Sequence, residues 1–551
     1  MTIQTRFTPE IIREFRERGF WSDLLLTDRL DERVRLTPDK EAIVDSHQRV
    51  TYAQLARMVD RIALGLLELG IRPGDRATLQ FPNRIEALAV FYALAKIGAI
   101  SCPVVPYYRG AEVRYIMETS ESVAVVIPKE FGGFDYTRMI DEIRPGLPNL
   151  KHTIVLGDDI PAGAVSLNHM INRPLESKYP VDYLRQFRPK ADDVVALVYT
   201  SGTESAPKAP IWTHNSAHNS QWFNEAWQIK DTETVLNLAP IFHALGLSEA
   251  GYNAAVVVGA RVVMMDAFEP EGAMRLIQQE KANVMLGVPP QLISILNHPS
   301  FGKYDLSSLR LATASGGPTP GEVIRQLHEK IGCKFIAFWG MTECVVGMIT
   351  RLEDPIEVPS NTIGRPACPA VQVRVYSEDH TQVLPAGQPG EMAVRGPMVF
   401  GGYYRDPERT KEVFNEEGWF FTGDSAMMRE DGNVCFVGRK KDIINRGGEK
   451  ISPREVEELL FAYPKVLNAS VVGMPDKRMG EKTCAYIIPK AGQTITFDEV
   501  IDFLKEKKIA MFKLPERIEI VDSLPMTASG KIKKNVLRDD VVAKMKAEGA
   551  L

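Results

Sequence analysis

The N-terminal part of the chain alternates short apolar runs with longer segments whose apolar residues recur at helical spacing. Ala42–Val44 and Arg76–Gln80 are short and rich in apolar residues, which favours strands. Thr51–Leu69 and Asn83–Ile97 repeat their apolar positions with the period of an amphipathic helix. Strands that alternate with helices in this way predict an α/β subdomain.

A second series with the same alternation runs from Val194 to about Gly340. Val194–Val198, Val256–Val258 and Ala260–Met264 predict buried strands, because they are apolar and rich in β-branched residues. Glu271–Lys281 predicts a helix. The pattern therefore indicates a second α/β subdomain that follows the first.

The texture changes in the C-terminal third, where short strands are separated by glycine and proline. Val371–Val375, Gly390–Val394 and Val434–Val437 predict a small β-barrel-like subdomain. The charged stretch Arg439–Asp442 comes next, and a compact α+β unit follows it. This change of pattern indicates a domain boundary at the charged stretch.

Two helices of this last unit have strong start signals. Ser452 is predicted as an N-cap, with Pro453 as the first helical residue and Glu455 completing a capping box. Thr496 and Glu499 repeat the capping box before the next apolar run. Both signals predict that the unit folds as a separate small domain.

The predicted fold is α/β and divides a chain of 551 residues, which is too long for one ordinary domain. Residues 1–438 form a large N-terminal domain of two α/β subdomains plus the small β-barrel-like subdomain. Residues 439–442 form a hinge, and residues 443–551 form a small mobile α+β C-terminal domain.

Composition and charge narrow the function classes. The net charge of −5 and pI near 6.1 argue against a nucleic-acid-binding protein, whose domains are usually basic. The six cysteines lack metal-binding spacing, which predicts reduced thiols and a cytoplasmic location. Met1–Phe20 has no apolar core of the signal-peptide kind, and the apolar window Ala87–Pro106 is interrupted by Lys96, so we expect no transmembrane segment.

The stretch Tyr199–Pro210 carries the first candidate chemistry. It follows a predicted buried strand and offers backbone N–H groups, hydroxyls and one cation, which together suit a phosphate. The residues in question are Thr200, Ser201, Gly202, Thr203 and Lys208. A Walker-type loop is excluded, because Pro207 precedes the lysine and Ala209 follows it. The spacing alone leaves open another kind of nucleotide loop and an ordinary polar surface loop.

Further motifs follow this stretch in a fixed order. They are Pro240–Gly246, Ala314–Pro318, Phe338–Glu343, Gly390–Gly396, Thr422–Asp424, Gly438–Asp442, Arg446–Glu449 and Pro525–Lys531. The series resembles the adenylate-forming superfamily, which includes acyl-CoA synthetases, peptide-synthetase adenylation domains and luciferases. The resemblance spans nearly the whole chain. It is greatest to the acyl-CoA synthetase branch, with ligases of short- or medium-chain fatty acids and of cyclohexanecarboxylate-type acids.

The resemblance implies a two-step reaction and assigns the catalytic residues. Members convert a carboxylate and ATP to an acyl-adenylate and pyrophosphate, and then transfer the acyl group to a thiol. Lys531 matches the lysine that contacts the attacking carboxylate and the α-phosphate, where electrostatic stabilisation is usually the largest catalytic contribution. Thr342 and Glu343 match the phosphate end of the site, with Glu343 holding Mg²⁺. His243 matches an acyl-pocket position, and a purely structural histidine is the alternative.

The resemblance also implies a nucleotide site. Trp339 matches an aromatic residue that packs on adenine, although a core tryptophan is the competing interpretation, and Asp424 matches the acceptor of the ribose hydroxyls. Arg439 matches a second ribose or phosphate contact. The residues expected to bind ATP are Thr200, Ser201, Gly202, Thr203, Lys208, Ser315, Gly316, Gly317, Trp339, Gly340, Met341, Asp424 and Arg439.

The hinge is implied to let the C-terminal domain rotate between the two half-reactions. Lys441 falls at the hinge position of the family, where an exposed charged linker is the alternative. Gly447, Gly448 and Glu449 match the face that would turn toward the site and line the path of coenzyme A. Beyond these residues, the sequence does not identify the CoA contacts.

The phosphate stretch departs from the family pattern at two glycines. Ser205 stands where a glycine is usual, and Ala209 replaces the closing glycine. Loss of both would restrict the φ > 0 conformations of a mobile loop. We therefore expect Lys208 to keep its phosphate contact and pyrophosphate handling to be weakened.

The predicted function is an ATP-dependent, AMP-forming acyl-CoA synthetase with ATP, Mg²⁺ and coenzyme A as cofactors and a small carboxylic acid as partner. A stand-alone adenylating enzyme for a carrier protein and a catalytically weak acyl-nucleotide-binding regulator are the alternatives. The candidate pocket segments are mostly small and apolar, with Tyr252 and Asn253 nearby, which favours an aliphatic, alicyclic or aromatic acid. A homodimer is among the expected assemblies.

Overall fold

The computed structural model describes residues 3–200, 207–218, 222–527 and 530–551. Of the predicted phosphate stretch, Ser201, Gly202, Thr203 and Ser205 lie outside these residues, whereas Thr200 and Lys208 lie within them. Within the described ranges, no helix combines the length and apolar character needed to cross a membrane.

The helices are distributed along the whole chain. They are α1 (Pro9–Glu17), α2 (Leu26–Leu36), α3 (Tyr52–Glu68), α4 (Ile85–Lys96), α5 (Gly110–Ser120), α6 (Tyr136–Ile143), α7 (Leu167–Asn172), α8 (His214–His218), α9 (Phe223–Trp227), α10 (Pro270–Glu280), α11 (Pro289–Leu296), α12 (Gly321–Ile331), α13 (Glu357–Asn361), α14 (Pro407–Glu412), α15 (Pro453–Phe461), α16 (Phe497–Glu506) and α17 (Lys534–Ala547). A π-helix, Gly246–Val258, lies between α9 and α10.

The strands alternate with these helices up to α12 and dominate the part that follows. They are β1 (Glu41–Val44), β2 (Arg49–Thr51), β3 (Arg76–Gln80), β4 (Ile100–Val104), β5 (Ala124–Pro128), β6 (Glu130–Phe131), β7 (Phe134–Asp135), β8 (His152–Leu156), β9 (Val165–Ser166), β10 (Val194–Leu197), β11 (Ile211–Thr213), β12 (Thr234–Asn237), β13 (Arg261–Met264), β14 (Val284–Gly287), β15 (Leu311–Ala314), β16 (Lys334–Met341), β17 (Cys344–Ile349), β18 (Arg365–Pro366), β19 (Gln372–Tyr376), β20 (Pro389–Arg395), β21 (Phe420–Met428), β22 (Val434–Arg439), β23 (Ile444–Arg446), β24 (Glu449–Ile451), β25 (Val466–Asp476), β26 (Gly480–Pro489) and β27 (Arg517–Ile520).

Two large sheets form the frame of the N-terminal domain. One has the strand order β11-β10-β4-β3-β5-β8-β9, and the other has the order β18-β17-β16-β15-β14-β12-β13-β1-β2. Strands β1 and β2 come from the first part of the chain but pair in the second sheet, where β1 runs parallel to β13. The two α/β units are therefore interlocked by an exchanged strand pair rather than simply consecutive.

Helix α4 is buried on all sides and packs between the two α/β units. Every residue from Ile85 to Ala95 is buried, as expected for a helix that is apolar around its whole circumference. The Tyr92 hydroxyl donates a hydrogen bond of 2.7 Å to the Gly251 carbonyl in the π-helix. A Cβ at Gly251 would lie 2.8 Å from a Leu88 methyl carbon, so the glycine permits this close helix packing.

The prediction of a strand at Val256–Val258 is wrong. These valines form the last residues of the π-helix, which Gly259 terminates with a φ of +81°. The next residues enter β13, which fills the sheet position between β1 and β12. Tertiary packing therefore overrides the β-propensity of three consecutive valines, since the sheet offers no second position for them.

The remaining sheets belong to the small units. The predicted β-subdomain contains an antiparallel sheet with the order β19-β20-β21-β22. The C-terminal domain has a sheet in which β24, β23, β26 and β25 are neighbours and β27 pairs with β26 in parallel. Its core is a separate apolar cluster to which α15 and α16 contribute. The predicted α/β fold with a large N-terminal and a small C-terminal domain is confirmed.

One of the two predicted capping boxes is complete. The Thr496 hydroxyl accepts from the Glu499 N–H while the Glu499 carboxylate accepts from the Thr496 N–H. Ser452 caps α15 in the predicted way, but the Glu455 carboxylate binds Lys513 at 2.7 Å instead of closing the box. The nearby ammonium is the stronger partner for a carboxylate, because both groups are charged.

Ionic and polar contacts hold the C-terminal domain against the N-terminal domain. Lys450 binds Glu378 at 2.5 Å, and the Arg454 guanidinium donates to the Phe436 carbonyl at 2.6 Å. The Gly321 N–H at the start of α12 donates to the Glu458 carboxylate of α15 at 3.0 Å. These contacts fix one orientation of the domains, and the boundary at residues 439–442 stays a prediction.

Candidate active site

Lys531 lies in the loop between β27 and α17, and this loop carries it into the N-terminal domain. Its backbone N–H donates to the Thr527 hydroxyl at 3.0 Å, and its carbonyl accepts from the Thr527 N–H at 2.7 Å. Gly530, with φ +81°, turns the chain immediately before it. A Cβ at Gly316 would lie 3.0 Å from Cε of Lys531, so this glycine leaves room for the lysine side chain.

The charges around Lys531 are both positive and negative. Burial lowers the pKa of Lys531 to about 8, and the Arg439 guanidinium lowers it further, while Asp424 and Glu343 oppose the shift. A cation with this pKa is still mostly charged at neutral pH. The site therefore holds a desolvated ammonium where an anionic reactant would be strongly attracted.

Asp424 is placed by β21 and is 3% exposed. The Trp339 indole N–H donates to Asp424 Oδ2 at 2.7 Å, and Arg439 Nε lies 3.2 Å from Oδ1 because β21 and β22 pair these two residues directly. Among the described residues, Oδ1 has no hydrogen-bond donor in good geometry. Burial raises the pKa of Asp424, and the Arg439 charge opposes this rise. The carboxylate is thus oriented by the indole and keeps one acceptor available.

Trp339 is itself buried, so its placement agrees with the alternative of a core tryptophan as much as with an adenine contact. Its ring covers Gly347, where a Cβ would lie 2.5 Å from the ring carbon Cζ3. The indole N–H is nevertheless directed at the candidate ribose acceptor rather than at the core. Trp339 is therefore a positioning residue for Asp424, which the motif pattern does not reveal.

Glu343 lies between β16 and β17 and is buried. The Tyr403 hydroxyl donates to Glu343 Oε1 at 2.9 Å, and the backbone carbonyl of Glu343 accepts from the Phe400 N–H at 2.9 Å. The Lys208 ammonium lies 5.1 Å from the centre of the Tyr403 ring. Burial lowers the pKa of Lys208, and the Glu343 carboxylate opposes this shift. Tyr403 thus links the predicted metal ligand to the predicted phosphate lysine, and nothing in its surrounding sequence indicated this role.

The backbone around Thr342 and the phosphate stretch is held by neighbouring side chains. The Trp212 indole N–H donates to the Thr342 carbonyl at 2.8 Å. The Thr200 N–H donates to the Lys208 carbonyl at 2.9 Å, which brings the two ends of the stretch together. Ala209, which replaces a family glycine, is buried, and its carbonyl accepts from the Tyr404 N–H at 2.9 Å. The described ends of the stretch are therefore well ordered by hydrogen bonds.

Gly340 and Met341 form the end of β16 immediately before this turn. A Cβ at Gly340 would lie 2.3 Å from the Val345 carbonyl oxygen, so only glycine fits there. Met341 pairs with Cys344 across the turn. These contacts fix the tight reversal that presents Glu343.

The glycine segment after β15 lies beside Lys531. The Ser315 N–H donates to the Gly287 carbonyl at 3.3 Å, and Gly316 adopts a φ of +90°. Gly317 is exposed. An exposed glycine backbone beside a half-buried lysine gives an open edge on which a flat base could lie.

His243 belongs to the same cluster. Burial lowers the pKa of His243 to about 3, and the nearby Lys531 charge lowers it further. Its Nδ1 lies 3.3 Å from the Leu245 N–H and accepts this hydrogen bond, as a neutral imidazole can. His243 is therefore neutral at physiological pH and lies near Lys531, just before the start of the π-helix.

The candidate CoA residues are not part of this cluster. Gly447 and Gly448 form the turn between β23 and β24 with φ of +59° and +95°, and they are exposed together with Glu449 and the hinge residue Lys441. The structure therefore brings together Lys531, Asp424, Arg439, Glu343 and Lys208, but it leaves the glycine face outside. This is the arrangement expected when the lysine, rather than the glycine face, is used.

The donor set fits ATP and Mg²⁺. Asp424 Oδ1 is a buried acceptor that a ribose hydroxyl could fill. The described residues contain no group of three or more metal-ligating side chains, and Mg²⁺ commonly binds through one or two carboxylates plus substrate phosphates and water. Glu343 with bound phosphates satisfies that requirement. The residues present thus fit a nucleotide with its magnesium rather than an all-protein metal site.

A cleft of about 790 Å³ opens beside the cluster, between the two domains. Its walls include Pro240, Val288 and Gln291 from the N-terminal domain and Met526, Thr527 and Gly530 from the lysine loop. The cleft is bounded by the loop that carries Lys531. Movement of the C-terminal domain would therefore reshape it.

Family comparisons agree with this geometry. A family model described as AMP-binding enzyme matches residues 30–404, and one described as AMP-binding enzyme C-terminal domain matches residues 455–531. The chain is 35% identical to a medium-chain fatty-acid–CoA ligase of Escherichia coli (strain K12), over 99% of this chain and 95% of that protein. It is 33% identical to a 2,3-dihydroxybenzoate-AMP ligase of Bacillus subtilis (strain 168), over 98% of each chain.

Solved structures show the same similarity. An anthranilate CoA ligase, AuaEII, in complex with anthranoyl-AMP superposes with a TM-score of 0.86 and 25% identity, over 95% of this chain and 98% of that one. ATP-bound MatB from Rhodopseudomonas palustris superposes with a TM-score of 0.81 and 28% identity, over 94% and 99%. The resemblance inferred from the motifs is confirmed. The chain therefore belongs to the AMP-binding enzyme family, the adenylate-forming superfamily that its motifs resemble.

Proposed function

We propose that the protein is an ATP-dependent, AMP-forming acyl-CoA synthetase that activates a carboxylic acid through an acyl-adenylate and transfers it to coenzyme A. The observation that carries this proposal is the position of the Lys531 ammonium. It is half-buried beside Gly316 and close to Arg439, Asp424 and Glu343. A desolvated cation at this point suits a reaction in which a carboxylate attacks an anionic phosphorus.

Each residue of the cluster has a role in this first half-reaction. Lys531 attracts the carboxylate and the α-phosphate and offsets the charge that accumulates between them. Asp424, oriented by the Trp339 indole at 2.7 Å, accepts from the ribose hydroxyls. Lys208 faces the outer phosphates. The chain thus orders both reactants for in-line attack, which is a large part of phosphoryl-type catalysis.

Magnesium is expected at the phosphates, where it supplies charge neutralisation. Glu343 would hold it, because this buried carboxylate lies near Lys208 and has its Oε1 oriented by the Tyr403 hydroxyl. The protein's own contribution here is to fix the direction of one carboxylate.

The second half-reaction requires the C-terminal domain to turn about residues 439–442. One contact that this rotation would break is the exposed ion pair between Lys450 of the C-terminal domain and Glu378 of the N-terminal domain. Exposed ion pairs of this kind are weak, so they can be exchanged without a large free-energy cost. After rotation, Gly447 and its neighbours would replace Lys531 at the site, and thiol transfer would follow.

The acid is the small-molecule partner of this reaction. A homodimer and a cytoplasmic location are further proposals, the second supported by six free cysteines, of which five are buried. Light scattering of the purified protein tests the dimer. Fractionation of cells that express the full chain tests the location.

The test of the proposed function is release of pyrophosphate and AMP across a panel of carboxylic acids, with and without coenzyme A. We expect acid-dependent pyrophosphate release, and acyl-CoA detected by mass spectrometry when coenzyme A is present. Adenylate formation that never yields acyl-CoA would favour an adenylating enzyme for a carrier protein. Acid and nucleotide binding without any turnover would overturn the proposal in favour of a regulator.

A further inference from the structure

The π-helix contains two buried polar side chains that the cluster around Lys531 does not use. Glu249 is 1% exposed and Asn253 is 0% exposed. Among the described residues, Oε2 of Glu249 and both amide atoms of Asn253 have no hydrogen-bond partner. Buried polar groups are nearly always paired, because an unpaired one costs free energy. Two such residues four positions apart on one helix therefore point to a missing partner.

The hydrogen bonds of Ser248 show which oxygen of Glu249 lacks a partner. The Ser248 hydroxyl lies 2.6 Å from the Ala244 carbonyl and also contacts Glu249 Oε1. A hydroxyl has one proton, and the carbonyl can only accept it. The Ser248 hydroxyl is the donor to both of these oxygens, so it shares its proton between the Ala244 carbonyl and Glu249 Oε1, and Glu249 Oε2 is left without a partner among the described residues. Burial raises the pKa of Glu249 well above its ordinary value, which favours the neutral carboxyl, while the hydrogen bond from Ser248 opposes this shift.

Glu249 and Asn253 lie in a helix that follows directly after the segment containing His243. The Leu247 N–H donates to the His243 carbonyl at 3.0 Å, so the π-helix is continuous with the segment that holds His243 near Lys531. Gly251 faces the opposite way, toward Leu88 and Ile241. Residues two positions apart do not share a helix face, so Glu249 and Asn253 are turned away from that packed side.

The surroundings of Glu249 and Asn253 exclude two simpler explanations for their unpaired atoms, namely a neighbouring polar pair and an ion pair. The neighbouring polar pair, the Tyr252 hydroxyl and Nδ1 of His218, is already satisfied internally. Glu249 makes no ion pair among the described residues, unlike the buried Glu280, which binds Arg261 at 3.3 Å. The unpaired atoms of Glu249 and Asn253 therefore belong neither to an ion-pair network nor to the hydrogen-bonded pair of Tyr252 and His218. π-helical segments are also frequent at functional sites.

We propose that Glu249 and Asn253 are specificity-determining residues for a carboxylic acid that carries an uncharged hydroxyl group on the part of its skeleton away from the carboxylate. A hydroxyl can donate to Glu249 Oε2 or Asn253 Oδ1 and accept from Asn253 Nδ2, so one group satisfies two of the three unpaired atoms. This inference rests on the proposed function. It adds one polar position to the mainly apolar acyl pocket that the sequence predicts.

The experiment compares matched acids that differ only by the hydroxyl, such as cyclohexanecarboxylate with its 3- and 4-hydroxy derivatives and octanoate with its hydroxylated chain analogues. The readout is kcat/KM for acid-dependent pyrophosphate release. We expect at least one hydroxy acid to exceed its unsubstituted partner on the order of 10–100-fold, because the analogue leaves the buried groups unpaired. Amino-substituted analogues are included, and a preference for them over the hydroxy acids would overturn the assignment to an uncharged group.

The quantity to follow is the ratio of kcat/KM for the hydroxy acid to kcat/KM for its unsubstituted partner. The variants Glu249→Met and Asn253→Leu should reduce this ratio toward one or invert it, mainly by improving turnover of the unsubstituted acid. Tyr92→Phe is the matched control, because it removes a hydrogen bond to the opposite face of the same π-helix at Gly251. It should leave the ratio unchanged. Equal loss of activity with both kinds of acid in the two variants would indicate a structural role and overturn the inference.

Failure of the inference can be told apart from failure of the proposed function. Acid turnover by the wild-type protein with no hydroxyl preference, unaltered in the variants, rejects the inference and leaves the ligase activity standing. No turnover of any acid rejects the proposed function. A thermal unfolding scan of each variant confirms that it folds before its ratio is interpreted.

Discussion

Two buried carboxyl groups of this protein, Asp424 and Glu249, have opposite surroundings. Asp424 accepts from the Trp339 indole at 2.7 Å and has the Arg439 guanidinium 3.2 Å from its other oxygen. Glu249 has only the Ser248 hydroxyl on one oxygen, and the described residues offer its other oxygen no partner. Burial raises the pKa of both, but only Asp424 has a cation that opposes the rise.

The difference separates a site prepared for charge from one prepared for neutral groups. Around Asp424 the protein supplies cations and directed donors, which suits an anionic nucleotide. Around Glu249 it supplies neutral donors and acceptors inside an apolar core, which suits a polar but uncharged part of a substrate. Substitutions at the two places should therefore alter different kinetic quantities.

Removing the central cation should give the largest effect on the charged site. Lys531→Ala should reduce the rate of adenylate formation about 10²–10³-fold, the usual loss when one stabilising group for developing charge is removed. The measurement is single-turnover acyl-adenylate formation without coenzyme A. Selectivity between hydroxylated and unsubstituted acids should persist in the residual activity.

The control for this variant is Lys505→Ala, an exposed lysine of α16 in the same domain. It should retain the wild-type rate, since it has no contact with the cluster. An equal loss of rate in both variants would mean that the C-terminal domain, and not the ammonium of Lys531, had been disturbed.

The protonation of Lys531 should appear in the pH profile of the first half-reaction. Because its pKa is about 8, the ammonium is lost as pH rises through that value, and kcat/KM for ATP should then fall about tenfold per pH unit. Lys531→Arg keeps its charge far above this range, so its lower activity should lack the alkaline fall. The same fall in both proteins would assign it to another group.

The Trp339 indole should have a smaller effect, confined to nucleotide binding. Trp339→Phe removes the 2.7 Å hydrogen bond to Asp424 while keeping an aromatic ring, and should raise KM for ATP roughly 10-fold. The kcat value should change less than KM, because the lysine that stabilises the developing charge remains in place. If kcat fell while KM stayed constant, the proposed ribose contact of Asp424 would be wrong.

Regular patterns in the sequence predicted the frame of the fold well. Strand β3 begins and ends at the predicted residues, and helices α3 and α4 lie within one or two residues of the predicted limits. The failure at Val256–Val258 has a local cause, because three apolar residues suit a buried helix as well as a strand and only the packing decides. The exchange of β1 into the second sheet is a long-range pairing that no local pattern encodes.

The sequence predicted some residues of the candidate site and missed others. Motif order pointed to Lys531, Asp424 and Glu343, and the structure brings their charges together, although their catalytic roles stay predictions. The contacts of Tyr403 and the direction of the Trp339 indole could not be predicted, because they depend on which side chains meet after folding. Glu249 was missed because it stands alone in an apolar segment, where sequence shows neither burial nor the absence of a partner.

The smallest expected effect is on the stability of the protein rather than on its activity, and it tests the surroundings inferred for Glu249. In the folded protein burial raises the pKa of Glu249 well above its ordinary value of 4.5, whereas in the unfolded chain the group ionises near that value. Folding must therefore bind a proton, and the stability contributed by this group is lost as pH rises above that value. Glu249→Gln removes the titration, so its unfolding temperature should match wild type near pH 5 and exceed it by about 1–3 °C at pH 8.

Glu280→Gln provides the contrast, because Glu280 is equally buried but is paired with Arg261 at 3.3 Å and with Arg49. Removing its charge leaves two guanidinium groups with only the Glu41 carboxylate to share between them, so this variant should be less stable than wild type at both pH values. Opposite signs at pH 8 for two buried glutamates would show that burial alone does not set the outcome. A destabilised Glu249→Gln protein at pH 8 would mean that Glu249 is ionised and paired in the fold, which would remove the neutral acceptor on which the hydroxyl assignment depends.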